Sequence, residues 1–193
     1  MSNIYIIRHG QTDLNRKHIL QGRIDEPLNE EGIRQAEEAA EQLRSMGITI
    51  DSVWSSPLQR ARDTARIIAG DAPLKTDERL LEMDYGPYDG TDLTSPPPEI
   101  LEFFSDFVNN PEPPGMEPLA AIVQRLGEFL EELRDAPPEG NVLISTHAIA
   151  MKGALEYLTP GSNGSYWDKH IKNCDIYVTE LVDGAYSVPV PIA

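Results

Sequence analysis

Ile4-Tyr5-Ile6-Ile7-Arg8-His9-Gly10 carries an unbroken apolar run straight into arginine, histidine and glycine. A run that is apolar at every position, rather than at every second one, suits a strand buried on both faces, the habit of parallel sheets covered by helices. Far downstream, Val142-Leu143-Ile144-Ser145-Thr146-His147-Ala148 repeats the layout. Helix and strand patterns alternate between and beyond these two stretches. Asn29 can cap a helix whose first turn holds Glu30 and Glu31, with Ile33, Ala36, Ala40 and Leu43 as its apolar face and Gly47 as its stop. Val53-Trp54 reads as a short strand. Ser56 then caps a helix with Pro57 at its first position and Leu58, Ala61, Ala65 and Ile68 as the buried stripe. A longer helix follows Pro118 through Ile122, Val123, Leu126, Phe129, Leu130 and Leu133; helix-favouring residues fill 148–158, and Ile176–Leu181 reads as a late strand. This alternation predicts an α/β fold with a largely parallel central sheet.

Bulk properties bound the function. The 193 residues correspond to one domain, residues 1–193, at roughly 100–200 residues per domain. With 16 Lys+Arg against 32 Asp+Glu the formal charge is −16, which disfavours nucleic acid and anionic membranes as partners. At 40% hydrophobic residues the chain can bury a core. The lone Cys174 fits a reducing compartment, and the opening apolar stretch, ended by Arg8, is too short for a signal peptide or a span, so a cytoplasmic protein is expected. Seven of the sixteen prolines fall between Pro96 and Pro118 and bound an insertion, roughly residues 92–118. Inside it Ile100, Phe103, Phe104 and Phe107 recur at helical spacing, either as a lid over a site or as a helix packed on the core.

Two histidines stand where strands end, and in open α/β sheets the carboxyl ends of strands face the ligand crevice. A single such histidine is most simply a satisfied structural residue; two of them, one between Arg8 and Gly10, point to a site. Gly10 permits close backbone approach, and Arg8 supplies a planar fork matched to phosphate oxygens. Arg60 falls in the first turn of its helix, where backbone donors attract anions, while Arg62 and Arg66 read as solvated. Glu82 sits in a loop-like stretch. The four histidines show no zinc spacing, and nucleophile-elbow, P-loop and dinucleotide fingerprints are absent.

Taken together these stretches resemble the histidine phosphatase superfamily, the phosphoglycerate-mutase-like proteins. Arg8-His9-Gly10-Gln11-Thr12 with Asn15 is similar to the R-H-G-x-T loop. Gln21-Gly22-Arg23-Ile24-Asp25-Glu26-Pro27-Leu28 is similar to Q-G-x-x-D-x-P-L. Ser55 to Ala61 with Thr64-Ala65 resembles S-S-P-L-x-R-A-x-x-T-A, Leu81 to Gly86 with Asp89-Gly90 resembles L-x-E-x-x-x-G…E-G, and Thr146-His147-Ala148 stands at the second S-H-G. The resemblance implies a three-layer αβα architecture with a small helical cap. It also implies roles: His9 as phosphoryl-accepting nucleophile, Arg8, Arg60 and His147 as oxygen clamps, and Glu82 as proton donor to the leaving oxygen and then activator of water. Asn15, Thr12, Gln21, Gly22 and Ala148 would line the phosphate pocket, with no metal and no cofactor. Ala148 replaces the usual glycine, and Met116-Glu117-Pro118-Leu119 stands for G-E-S-L; both bear on substrate choice. The expected activity is hydrolysis of a small phosphorylated metabolite, with phosphoglycerate mutase as the alternative enzyme and an idle phospho-ligand module as the alternative outside catalysis. A homodimer is left open. The −16 charge does not oppose an anionic substrate. Distant carboxylates are screened beyond ~8 Å, whereas each clamp cation at ~4 Å is worth about 4 kcal/mol of gross attraction at an effective dielectric of ~20.

Overall fold

The N-terminal apolar run forms β1 (Ser2–Arg8), the strand on which the sheet of this computed structural model is organised; residues 2–192 are described. Along the chain follow α1 (Asp13–Arg16), α2 (Glu30–Ser45), β2 (Ser52–Ser55), α3 (Gln59–Ala69), β3 (Leu74–Thr76), α4 (Pro98–Ser105) and α5 (Leu119–Asp135). After them come β4 (Gly140–Thr146), α6 (Ala148–Leu158), β5 (Ile176–Val182), β6 (Ala185–Tyr186) and β7 (Val190–Pro191). The sheet order is β3-β2-β4-β1-β5-β6, with β7 also pairing β5. β3, β2, β4 and β1 are mutually parallel, and β5 joins antiparallel, so the sheet is largely parallel.

Alternate residues of each central strand enter different cores, as the two-residue period of a strand requires. Ile4, Ile6, Val142 and Ile144 pack with Ile122, Leu126 and Phe129 of α5 and with Ala150, Met151 and Leu155 of α6. Tyr5, Ile7, Val53 and Leu143 pack on the other face with Ala39 and Leu43 of α2 and Ala65 of α3. A helical layer therefore covers each face, and burying each large aliphatic side chain contributes about 1.5–3 kcal/mol.

The insertion resolves in favour of packing. Ile100 and Phe103 of α4 are completely buried in the α5–α6 core, so this helix is anchored on the body of the domain. Phe107 lies beyond the end of α4 and reaches its aromatic neighbours from the following loop. Two other local expectations change. Ile33 is 42% exposed, because the buried face of α2 turns through Gly32, Ala36, Ala39, Ala40 and Leu43. Helix α3 begins at Gln59, and its first amide is capped by Asp25 Oδ1 at 2.7 Å instead of by Ser56. Among the described residues no helix is long and apolar enough to cross a membrane.

Candidate active site

Pairing β1 beside β4 sets Arg8 opposite Thr146, so His9 and His147 emerge side by side at the carboxyl edge of the sheet. β2 lies on the far side of β4 with Ser55 opposite Ser145, which brings Ser56 and α3 to the same edge. The two imidazoles meet edge to face, with ring centroids 5.1 Å apart. His9, Arg60, Glu82 and His147 are all nearly or fully buried.

His9 Nδ1 lies 2.7 Å from Gly10 O, a group that can only accept, so Nδ1 carries the proton and Nε2 keeps its lone pair. Arg60 donates its Nε–H to that lone pair at 3.2 Å, while Nη1 and Nη2 donate to Ile24 O and Gly22 O at 2.7 and 2.8 Å. Burial, then the charges of Arg60 and Arg8, push the His9 pKa well below its ordinary value. The same causes in the same order, burial and then Arg60, lower His147. Burial takes Arg60 down to about 10, against the support of Glu82, Asp25 and Asp89, and it remains a cation at neutral pH. Gly10 has no room to be anything else: a Cβ there would meet Gly32 O at 2.4 Å.

Ser56 explains its absence from the helix cap. Its Oγ accepts from Leu58 N–H at 3.3 Å and sits 2.7 Å from His147 Nε2. The second ring nitrogen of His147, Nδ1, is buried and has no partner. Three other buried side-chain nitrogens share that condition among the described residues: Arg8 Nε, Gln21 Nε2 and Arg23 Nε. Buried polar groups are nearly always satisfied, and three of these four nitrogens belong to residues the sequence already singled out, His147, Arg8 and Gln21.

The remaining members of the site are tied in from several elements. Arg8 Nη1 donates to Ile171 O at 2.6 Å. Thr12 caps α1 reciprocally with Asn15, and its Oγ1 donates to Gln21 Oε1 at 2.8 Å, leaving the Gln21 amide nitrogen free to point elsewhere. Gly22 N–H is held by Asp89 at 2.7 Å. Glu82 lies at the start of α6: Oε1 accepts from Met83 and Ala150 N–H, both at 2.9 Å, and Oε2 accepts from Ile149 N–H at 3.2 Å. The helix dipole favours a carboxylate there. Ala148 is the first residue of α6, directly after His147. Four supports were not singled out from the sequence as site residues. Ser56 is one; Thr64 accepts from Gly10 N–H at 3.0 Å and donates to Arg60 O, Asp89 clamps three successive amides, and Asn173 donates to His9 O at 2.9 Å. Ser56, Thr64 and Asp89 fall inside the motif blocks quoted above, whereas Asn173 carries no local signal.

The histidine phosphatase superfamily (branch 1) family model matches residues 4–190. The chain belongs to this superfamily. A putative phosphoserine phosphatase 2 of Hydrogenobacter thermophilus is 31% identical over 181 residues, covering 91% of this chain and 88% of that one. A probable phosphoglycerate mutase of Yersinia pestis is 32% identical over 181 residues, covering 91% and 83%. The crystal structure of phosphoserine phosphatase in complex with 3-phosphoglyceric acid from Entamoeba histolytica superposes with a TM-score of 0.81 at 26% identity, covering 100% of this chain and 96% of that one. This superfamily member is thus an enzyme of the phosphatase or mutase type, with the three-layer fold of its relatives.

Neutral buried histidines leave a mark on stability. The unfolded chain titrates them near 6.5, whereas the folded superfamily domain holds His9 and His147 well below their ordinary value. Below about 6.5 the unfolded state therefore binds more protons, and stability rises with pH through that window. The contribution is complete above the unfolded value and is lost as pH falls toward the folded ones. Urea midpoints measured from pH 7 to 5 are expected to drop, and His147→Asn to flatten the slope. An unchanged slope in the variant would contradict the assignment.

Proposed function

We propose that the protein is a metal-independent phosphomonoester hydrolase working through a phosphohistidine at His9. The observation that carries this reading is the buried His9 Nε2 lone pair, addressed by Arg60 Nε–H at 3.2 Å and flanked by the His147 ring with centroids 5.1 Å apart. A bound phosphoryl group would draw on Arg8, Arg60 and His147, and Arg60 Nε–H would pass from His9 Nε2 to a phosphoryl oxygen, freeing the nucleophile. Nε2 then attacks phosphorus, the bond to the leaving oxygen breaks, and Glu82, entering this half protonated by the proton a phosphomonoester monoanion brings, supplies that oxygen with a proton. In the second half Glu82 takes a proton from water, the water oxygen attacks phosphorus, the P–N bond breaks, and phosphate leaves. Charge in such transition states spreads over the equatorial oxygens, so fixed cations and donors do most of the work. Arg8, Arg60 and His147 are the groups for it, with Asn15, Thr12, Gln21, Gly22 and Ala148 lining the pocket and a small phosphorylated metabolite as substrate.

A mutase reading is favoured by the relative named as a probable phosphoglycerate mutase. A mutase must retain a second anionic group near His9, yet the insertion from Asp92 to Pro118 contains no Lys or Arg. Phosphate release from a panel of phosphomonoesters is expected to outpace interconversion of 3- and 2-phosphoglycerate, even primed with 2,3-bisphosphoglycerate, and to survive EDTA. Primed interconversion faster than the best hydrolysis would overturn the hydrolase reading, and activity restored only by added metal would overturn metal independence. No turnover of any phosphomonoester would leave the idle-module reading.

A further inference from the structure

The segment from Gln21 to Asp25 has no regular structure of its own, yet it is tied down residue by residue. Asp89 Oδ1 accepts from Gly22 N–H at 2.7 Å, and Oδ2 accepts from Arg23 and Ile24 N–H at 2.8 and 3.1 Å. One half-buried carboxylate therefore takes three successive amides. The carbonyls of the same segment serve another group: Gly22 O and Ile24 O accept from Arg60 Nη2 and Nη1 at 2.8 and 2.7 Å. Asp25 Oδ1 then accepts from Gln59 N–H at 2.7 Å, which fixes the first turn of α3, where Arg60 stands. Gly22 has no sideways latitude, since a Cβ there would meet Met83 O and the Tyr85 ring, each at 2.7 Å.

This chain of contacts ends on a reacting atom. Three of the five N–H groups of Arg60 are engaged: two by the segment's carbonyls, and Nε–H by His9 Nε2 at 3.2 Å. A guanidinium is a rigid plane, so two fixed corners set the direction of the third. Backbone pairing secures the segment only at its start, where Leu20 N–H donates to Thr91 O at 2.8 Å and Leu20 O accepts from Gly90 N–H at 2.9 Å. Beyond that point Asp89 takes over, with hydrogen bonds to an ionised acceptor that are roughly twice as strong as neutral ones.

We propose that Asp89 is a positioning residue for phosphoryl transfer, holding the 22–24 carbonyls where they aim Arg60 Nε–H at His9 Nε2. The inference rests on the reading of His9 as nucleophile. Asp89 acts through the segment and through Arg60, and its effect is the same for any phosphomonoester.

The test compares wild type, Asp89→Asn, Arg60→Ala and the double variant. Long-range ¹H–¹⁵N spectra follow the His9 ring through a pH titration, and calorimetry measures affinity for inorganic phosphate. Asp89→Asn keeps the size of the side chain but turns an N–H₂ toward at least one of the three amides. It is expected to raise the His9 titration toward its ordinary value and to weaken phosphate by about 10²-fold, the scale of a ~1 Å misplacement. The sign is diagnostic. Arg60 and Arg8 are the charges that bear on His9, and removing a negative charge by itself lowers a histidine pKa, so an upward shift reports the departure of Arg60. In the Arg60→Ala background Asp89→Asn should change phosphate affinity by no more than about twofold, because members of one network are not additive. Asp89→Glu, which keeps the carboxylate, should retain most of the affinity. The bonds at stake lie in a half-buried loop outside the sheet, so the fold should survive; Asp89→Ser, with one oxygen acceptor, replaces Asp89→Asn if that variant does not fold. A His9 titration that stays or falls in the folded variant, or an equal phosphate loss with and without Arg60, would overturn the positioning role and leave Asp89 a loop staple. The expected His9 response without turnover of any phosphomonoester would instead overturn the hydrolase reading and leave the role of Asp89 standing.

Discussion

His9→Ala is expected to abolish phosphate release and the acid-labile phosphoryl label together. The variant removes the lone pair that Arg60 Nε addresses at 3.2 Å. The Nδ1 bond to Gly10 O is lost with it, a cost of about 1–3 kcal/mol for an unsatisfied buried group. The fold should survive, since the strand pairing of β1 with β4 and β5 is carried by backbone. The check is rapid quenching with a ³²P-labelled ester followed by acid and base stability of the protein-bound label. A normal label in His9→Ala would remove the nucleophile assignment, whatever the turnover.

Glu82→Gln is expected to slow hydrolysis of alkyl phosphates by about 10²–10⁴-fold, the usual contribution of general acid–base catalysis. Aryl phosphates leave as weak bases and should lose much less in the transfer step. Glu82 Oε2 accepts a single amide, that of Ile149 at 3.2 Å, and so retains capacity for the proton that must be delivered. Oε1 already accepts from Met83 and Ala150. A glutamine must turn an N–H₂ toward at least one of these donors, so some stability will go with the activity. The ratio of alkyl to aryl rates is read on one preparation and does not move with the folded fraction. Equal losses on both ester classes would argue that Glu82 is structural, holding the start of α6.

The reactive residue types were visible in the sequence because each sits at a break between periodic segments. His9 and His147 follow apolar runs, Arg60 follows Ser-Pro, and the order of five short blocks named the superfamily. The contacts of the supports were not visible, because they act across the chain. Asp25 caps α3 from 34 residues away, and Asn173 reaches His9 O from 164 residues away. Ser56 shows the conflict most clearly. By local rules it should cap its helix, yet its hydroxyl is given to His147, 91 residues on, and Asp25 takes over the cap. Ile33 and Phe107 fail for a milder reason: helical spacing marks candidates for a buried face but does not say where the neighbouring layer lies.

By itself the sequence determined the α/β class, the strand–histidine junctions and the membership of the superfamily, because apolar periodicity and short motifs are local and survive without knowledge of partners. The tertiary structure alone decided that β4 lies between β1 and β2, which sets two histidines at 5.1 Å and turns Ser56 onto one of them. It also decided that α4 is packed into the core and that Lys152 is buried with its ammonium on Trp167 O. These are matters of strand order and of which charges share a low-dielectric volume, and they come into being only when segments distant in the chain close around the same space.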